Sequence, residues 1–279
     1  MLALVVSATT SEAELASDAL WSLGVVAIEE RLVGDGVELW TSLGDDPDAV
    51  IADATGRLSS WAWRFVEVDE RVADTWRQHA EPVWIATDLV ICPAWIPFEP
   101  APGVIALRIE PGATFGLGDH PTTMLSMRSL RMALTPHATI LDVGCGSGVL
   151  SVGACLLGAS HATAIDISPA SVPITTANAA ANGVSDLIDV STKALQDVEG
   201  QYDIVVANIL APTLIDLAAD LRRVVAPDGV LIISGVLADR HDHVVEALLP
   251  LRRLERSTLD GWAAITLGRP IRTEQVFTD

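Results

Sequence analysis

The sequence predicts an α/β protein: a doubly wound sheet built by most of the chain, preceded by a small α+β domain at the amino terminus. Three observations lead there. From residue 140 onward, short apolar runs alternate with segments of helical period, as in a parallel sheet buried on both faces. One of those runs, residues 140–150 (ILDVGCGSGVL), breaks into three glycines spaced two apart. The first 70 residues follow a different order: strand, helix, strand, strand, helix, strand.

Leu2 to Ala8 reads as a strand. Ser11-Glu12-Ala13-Glu14 then opens a helix with a capping-box pattern that runs to Leu23, where Gly24 ends it. Val25 to Glu30 and Gly36 to Thr41 suggest a hairpin around Val33-Gly34-Asp35-Gly36. A second helix starts at Asp46-Pro47 and reaches Leu58, and Trp63 to Val68 alternates as a closing strand. This order is the ferredoxin-like arrangement, shared by too many activities to name one. Residues 71–82 are charged and polar and read as a linker, leaving domains at 1–70 and 83–279.

Val83 to Ala86 and Leu89 to Cys92 look like a strand pair, followed by a proline-dense loop from Pro93 to Pro111. Residues 115–123 (FGLGDHPTT) then form a glycine-rich loop entering a helix whose first turn holds Pro121. Thr122 and Thr123 place hydroxyls at that helix start, as ligand contacts or as ordinary capping residues. His120 reads equally as a turn residue, a cofactor-edge contact or a base.

Residues 140–150 read as a buried strand, a tight turn and the start of a helix. Gly144, Gly146 and Gly148 let a ligand approach the backbone, and the helix presents unpaired amides to it. The spacing excludes a dinucleotide fingerprint, because the final glycine it needs falls on Val149 or Ser151. A G-x-G-x-G loop behind an acid, here Asp142, resembles that of Rossmann-like methyltransferases, which hold S-adenosylmethionine. The next strand, Ala162 to Asp166, ends in a carboxylate placed to accept ribose hydroxyls.

The alternation continues with a helix from Ser168 to Asn182 and strands at Ile188 to Val190 and Tyr202 to Ala207, the latter ending in Asn208-Ile209-Leu210. An amphipathic helix from Leu214 to Val225, a strand from Gly229 to Ser234, a helix from Asp239 to Leu249, and strands near Leu251 to Ser257 and Trp262 to Leu267 complete the chain. Ligands of such sheets bind beyond the carboxyl ends of the strands. Asp142, Asp166 and Asn208 all fall there, on one crevice.

Composition narrows the function classes. The 279 residues, half of them apolar, suffice for a large domain and a small one. The three cysteines, Cys92, Cys145 and Cys155, are odd in number and lack metal-ligand spacing, which fits reduced thiols in the cytoplasm and no bound metal. Cys145 reads as a small turn residue before it reads as a nucleophile. The amino terminus lacks the charge and length of a signal peptide, and the apolar stretch 140–159 carries Asp142 and five glycines, so no membrane span is expected. The net charge of −20, with Lys193 the only lysine, disfavours nucleic acid. It suits a basic protein partner, or serves solubility alone.

Five stretches in order, FGLGDHPTT, LDVGCGSGVLSVGA, IDISPAS, NILAPTLIDLA and ISGVLADR, resemble the motif series of the bacterial PrmA family, methyltransferases of large-subunit ribosomal protein eleven. WRQHAEPVWIATDLVICPAW and the tail around Gly261-Trp262 are similar too, so the likeness covers nearly the whole chain. The resemblance implies a ferredoxin-like domain that grips the substrate, and cofactor contacts at Thr123, Gly144, Asp166 and Asn208 within a site that includes Asp142, Gly146 and Gly148. Thr123 would hold the methionine end, Asp166 the ribose, and Asn208 the region between methionine and the incoming nucleophile. The chain departs from the family at Leu117 and Asp119, where its members usually carry threonine. The implied reaction moves methyl groups to lysine side chains, with α-amines as further acceptors. The alternatives are a related enzyme for another protein, or a cofactor-binding interaction protein with little turnover.

The chemistry sets modest demands. A sulfonium methyl is already activated, so displacement needs a neutral amine held about 3 Å away and aligned. A lysine in water, with a pKa of about 10.4, must first lose a proton, which an apolar pocket or a nearby acceptor eases. Asn208 and backbone carbonyls are expected to orient the amine, with His120 as the base candidate. No proline pair and aromatic ring follow Asn208, unlike the motif of amide and adenine methyltransferases, so an sp³ amine fits better.

Overall fold

The computed structural model describes residues 2–10, 12–21, 23, 25, 28–42, 47–67, 80–112 and 116–269. Most of the expected linker, the helix starts at Ser11 and Asp46, and Phe115 lie outside them. The chain divides into two compact units, one built on residues 1–80, the other on residues 81–112 and 116–279.

In the first unit β1 (Leu2–Thr9), α1 (Ala13–Trp21), β2 (Glu29–Val33), β3 (Gly36–Ser42), α2 (Pro47–Arg57) and β4 (Ala62–Glu67) follow one another. Their antiparallel sheet has the order β2-β3-β1-β4, the ferredoxin-like topology. The hairpin turns at Gly34-Asp35 as expected, but β2 covers Glu29–Val33 instead of 25–30, because it must pair with β3 from Gly36 back to Trp40. A cap forms between Thr9 and Glu12: the Glu12 carboxylate accepts from the Thr9 hydroxyl at 2.6 Å and from its amide at 3.3 Å. Leu4, Val6, Leu20, Leu39 and Leu58 fill the core between sheet and helices. Across the sheet, the Arg31 guanidinium stacks 4.1 Å from the Trp40 ring.

The second unit opens with β5 (Val83–Ala86), β6 (Leu89–Pro93) and β7 (Ile105–Ile109). β7 lies inside the segment expected to be a loop. Its alternating apolar residues pair in parallel with β6, whose last residue, Pro93, is the register partner of Ile109 at the end of the ladder. Then come α3 (Pro121–Ala133), β8 (Thr139–Val143), α4 (Val149–Leu156), β9 (His161–Ile165), α5 (Ser171–Ala181), β10 (Ile188–Ser191), β11 (Tyr202–Asn208), α6 (Ala211–Asp216), α7 (Ala218–Val224), β12 (Val225–Leu237), α8 (Asp242–Ala247), β13 (Arg252–Leu259) and β14 (Trp262–Gly268).

Seven strands form the main sheet in the order β10-β9-β8-β11-β12-β14-β13, the first five parallel and β14 antiparallel to β12. Apolar residues fill both faces. Ile140, Ala162, Val206 and Ile232 pack with the small sheet and α3 to α5; Leu141, Val143, Val205 and Ile233 pack with α6 to α8. The fold is therefore doubly wound, with the reversal of strand order at β8 and β11.

Further boundaries differ from expectation. The helix expected over 214–225 is two short ones, parted at Leu217 and starting earlier because Pro212 occupies the first turn of α6. The strand expected at 229–234 runs from Val225 to Leu237. It passes so close to β11 that a Cβ on Gly229 would lie 2.8 Å from the Tyr202 and Asp203 carbonyl oxygens, so only a glycine fits there. The helix expected over 239–249 shortens to Asp242–Ala247. Among the described residues, no helix is long and apolar enough to cross a membrane, and no group of metal-binding side chains converges.

Candidate active site

The carboxyl ends of β8, β9 and β11 meet at the reversal of strand order, and the glycine turn lies over them. Gly144, Gly146 and Gly148 all have positive φ, at 76°, 53° and 76°. The turn is tied down from below and beside. The Gly144 and Cys145 amides donate to the Ile165 carbonyl, the Gly146 amide donates to Asp166 at 2.8 Å, and the Ser147 hydroxyl donates to the Gly116 carbonyl at 2.6 Å. Two polar side chains of α5 satisfy the turn's carbonyls: Thr175 donates to Gly146 and Asn178 to Ser147. Of the first amides of α4, that of Ser151 is taken by Asp142, which leaves those of Val149 and Leu150 outside the helix's own ladder.

Asp166 accepts from Gly146 through one carboxylate oxygen and from the Ser168 amide through the other. Each oxygen keeps lone-pair capacity for a hydroxyl donor. The residue after it, Ile167, is 96% exposed. Sequence reasoning missed this side chain, which is apolar and exposed directly after Asp166.

Asp142 behaves differently from Asp166. It is 1% exposed, under the turn, and its Oδ2 accepts from the Ser151 hydroxyl at 2.7 Å and the Ser151 amide at 3.2 Å. Its Oδ1 has no partner in the structure. Burial pushes its carboxyl up to about 6, against the Ser151 bonds, with the nearby Asp166 adding to the rise. Asp142 thus braces α4 beneath the crevice. Cys145 is buried beside Thr175, and burial raises its thiol far above the nucleophilic range.

Asn208 closes β11, and its amide lies 3.5 Å from the hydroxyl of Thr123. Thr123 comes from the first turn of α3 and is buried. The glycine loop before α3 and the strand end of β11 therefore converge, bringing together two residues eighty-five positions apart. His120 caps α3: its Nδ1 lies 3.3 Å from the Thr122 amide and 2.8 Å from the Thr122 hydroxyl. A neutral ring that accepts at Nδ1 carries its hydrogen on Nε2, an assignment made from these bonds. Burial lowers its pKa, partly offset by Asp119. Its ring packs edge-on to Trp262, with centroids 5.3 Å apart.

The family profile described as Ribosomal protein L11 methyltransferase (PrmA) matches residues 44–270. The chain belongs to this family. It is 40% identical over 208 residues to the ribosomal protein L11 methyltransferase of Geotalea daltonii and 43% identical over 181 residues to that of Geobacter metallireducens. Those alignments cover 70% and 65% of this chain and 66% and 60% of the two relatives, so the chain spans slightly under two thirds of their length. A crystal structure of ribosomal protein L11 methylase from Lactobacillus delbrueckii subsp. bulgaricus superposes with a TM-score of 0.64 at 32% identity, covering 68% of this chain and 99% of that one. The doubly wound sheet is thus the fold of a PrmA relative, and the match spans the crevice residues from Thr123 to Asn208.

Proposed function

We propose that this PrmA-family chain is a cytoplasmic protein methyltransferase that uses S-adenosylmethionine to methylate amines of ribosomal protein L11, lysine side chains foremost. The observation that carries the reading is the convergence of Asp166, Asn208 and Thr123 around the glycine turn. The residues fit the cofactor. Asp166 has acceptor capacity for two ribose hydroxyls, Ile167 offers an exposed apolar surface for adenine, and the Val149 and Leu150 amides at the start of α4 lie outside that helix's own ladder. Gly144, Gly146 and Gly148 give the turn its shape, and Asp142 holds α4 in place beneath it.

When bound, the cofactor supplies an electrophilic methyl. The chain's part is to position the acceptor. Thr123 and Asn208 form the polar end of the crevice, where the Asn208 amide orients a neutral amine by hydrogen bonding. No strong base is required there, since desolvation favours the neutral amine. His120 serves better as the cap of α3 and a wall of the crevice than as the base, because its Nδ1 lone pair is engaged with Thr122. The amino-terminal unit, over residues 1–70, is assigned to recognition of L11, with 71–82 as linker and 83–279 as the transferase. The family relatives' names support L11 over another protein substrate.

The test compares rates of labelled methyl transfer to purified L11, with S-adenosylhomocysteine titrated by calorimetry. Asn208→Ala is expected to lose about a hundredfold in kcat while retaining cofactor-product binding. His120→Asn, which preserves a cap, is expected to keep both the rate and the shape of the pH profile. A His120→Asn enzyme whose rate collapsed would reinstate the base.

A further inference from the structure

The chain leaving β11 at Ile209 is held between two glycines far apart in sequence. Asn208 pairs in register with Ser234 of β12, and Gly235 follows at φ 84°, where the ladder to β14 shifts register. A Cβ on Gly235 would lie 2.8 Å from the Ile209 carbonyl carbon and 3.2 Å from its nitrogen, with the oxygen closer still. These are backbone atoms, which no rotamer change can move. On the opposite side, a Cβ on Gly144 would overlap Ile209 Cγ2, a side-chain methyl. Ile209 therefore rests its main chain on Gly235 and its methyl on Gly144.

The same bulge also bears on the other half of the site. The buried Ser234 hydroxyl donates to Ala263 at 3.0 Å and lies 3.4 Å from the Thr122 carbonyl, next to Thr123. Asn208 and Thr123 are thus both placed by the segment 234–235. Their contact, at 3.5 Å, is at the outer limit of a hydrogen bond, so a small outward shift of Asn208 would break it.

We propose that Gly235 is a positioning residue for methyl transfer: the bulge it permits in β12 seats the Ile209 backbone and so sets the Asn208 amide against Thr123. The inference rests on the proposed methyltransferase function and assigns a role in it to a residue outside the glycine turn. Because the backbone that Gly235 supports is that of Ile209 and not of the turn or Asp166, its effect falls on turnover more than on S-adenosylhomocysteine affinity.

The experiment measures kcat and KM for L11, S-adenosylhomocysteine affinity and thermal midpoint in wild type, Gly235→Ala, Gly144→Ala, Ile209→Ala and the two double variants with Ile209→Ala. Gly235→Ala is expected to lower kcat about ten- to a hundredfold with affinity for S-adenosylhomocysteine within about twofold. Ile209→Ala removes the methyl that opposes Gly144 and is expected to restore part of the Gly144→Ala loss. It leaves the backbone that opposes Gly235 and is expected to restore none there. Ser234→Ala adds no bulk, so it tests the same segment if Gly235→Ala folds poorly; a kcat loss of about two- to tenfold with unchanged affinity is expected. Full kcat in Gly235→Ala and Ser234→Ala beside an active wild type overturns this inference alone. So does a loss in which kcat, affinity and thermal midpoint fall together, or equal rescue of both glycine variants. A wild type that binds S-adenosylhomocysteine yet transfers nothing to L11 counts against the function and the inference together.

Discussion

Asp142 shows how one buried carboxylate can brace a site and burden the fold. Its folded-state pKa, about 6, lies above the ordinary value near 3.8. A raised carboxylate binds its proton more tightly in the folded protein, so its contribution to stability falls as pH rises through the window from about 4 to about 6. Above that window the charged, half-satisfied carboxylate stays a cost of about 3 kcal/mol. Asp142→Asn keeps an acceptor for Ser151 and removes the charge. The difference in urea midpoint between variant and wild type is expected to shift in the variant's favour between about pH 4 and pH 6 and to be flat above. A difference that does not change with pH would mean that Asp142 is not the group titrating. At this scale much of the site was legible: Asp166, Asn208 and Thr123 stand at element boundaries marked by glycines and apolar runs. Ile209 and Gly235 were not, because their contact depends on what a distant strand brings within about 3 Å, and the buried role of Asp142 was not, because it depends on how the following helix folds back onto it through Ser151.

Among the elements, α5 and β7 are joined in an unusual way. Asn182 accepts from the Arg108 amide at 2.9 Å and donates to the Arg108 carbonyl at 2.7 Å, and Asn178 does the same to Glu110 at 2.9 Å and 2.9 Å. Two side-chain amides thus copy the ladder bonds of a neighbouring strand along the open edge of β7. Asn178 also holds Ser147, so this seam links the small sheet to the glycine turn. Asn182→Ala is expected to cost about 1 to 3 kcal/mol in urea unfolding, since it orphans two strand groups. Asn178→Ala should add a weaker affinity for S-adenosylhomocysteine; unchanged affinity would argue that the turn holds its shape without it. The strands of the main sheet were readable as apolar runs flanked by turn residues. β7 was not, because its five residues sit among prolines that signal a loop, and the pairing with β6 that overrides the signal is not local.

For the whole molecule, the net charge of −20 is the feature with the widest reach. The fold itself was largely predictable, since alternation of strands and helices admits few topologies. The partner was not, because charge alone suits both solubility and a basic substrate. If it steers a basic ribosomal protein, KM for L11 should rise steeply as salt is raised from about 0.05 to 0.3 M while kcat stays level. A salt-independent KM would assign the charge to solubility.

The central claim is that the crevice transfers methyl groups from S-adenosylmethionine to L11. Peptide mass mapping of purified L11 after incubation with the cofactor and either wild type or Asp166→Ala tests it most directly. The account predicts added methyls on L11 lysines or its amino terminus with wild type, and little or none with Asp166→Ala. Unmodified L11 beside a wild type that demonstrably binds the cofactor would contradict it.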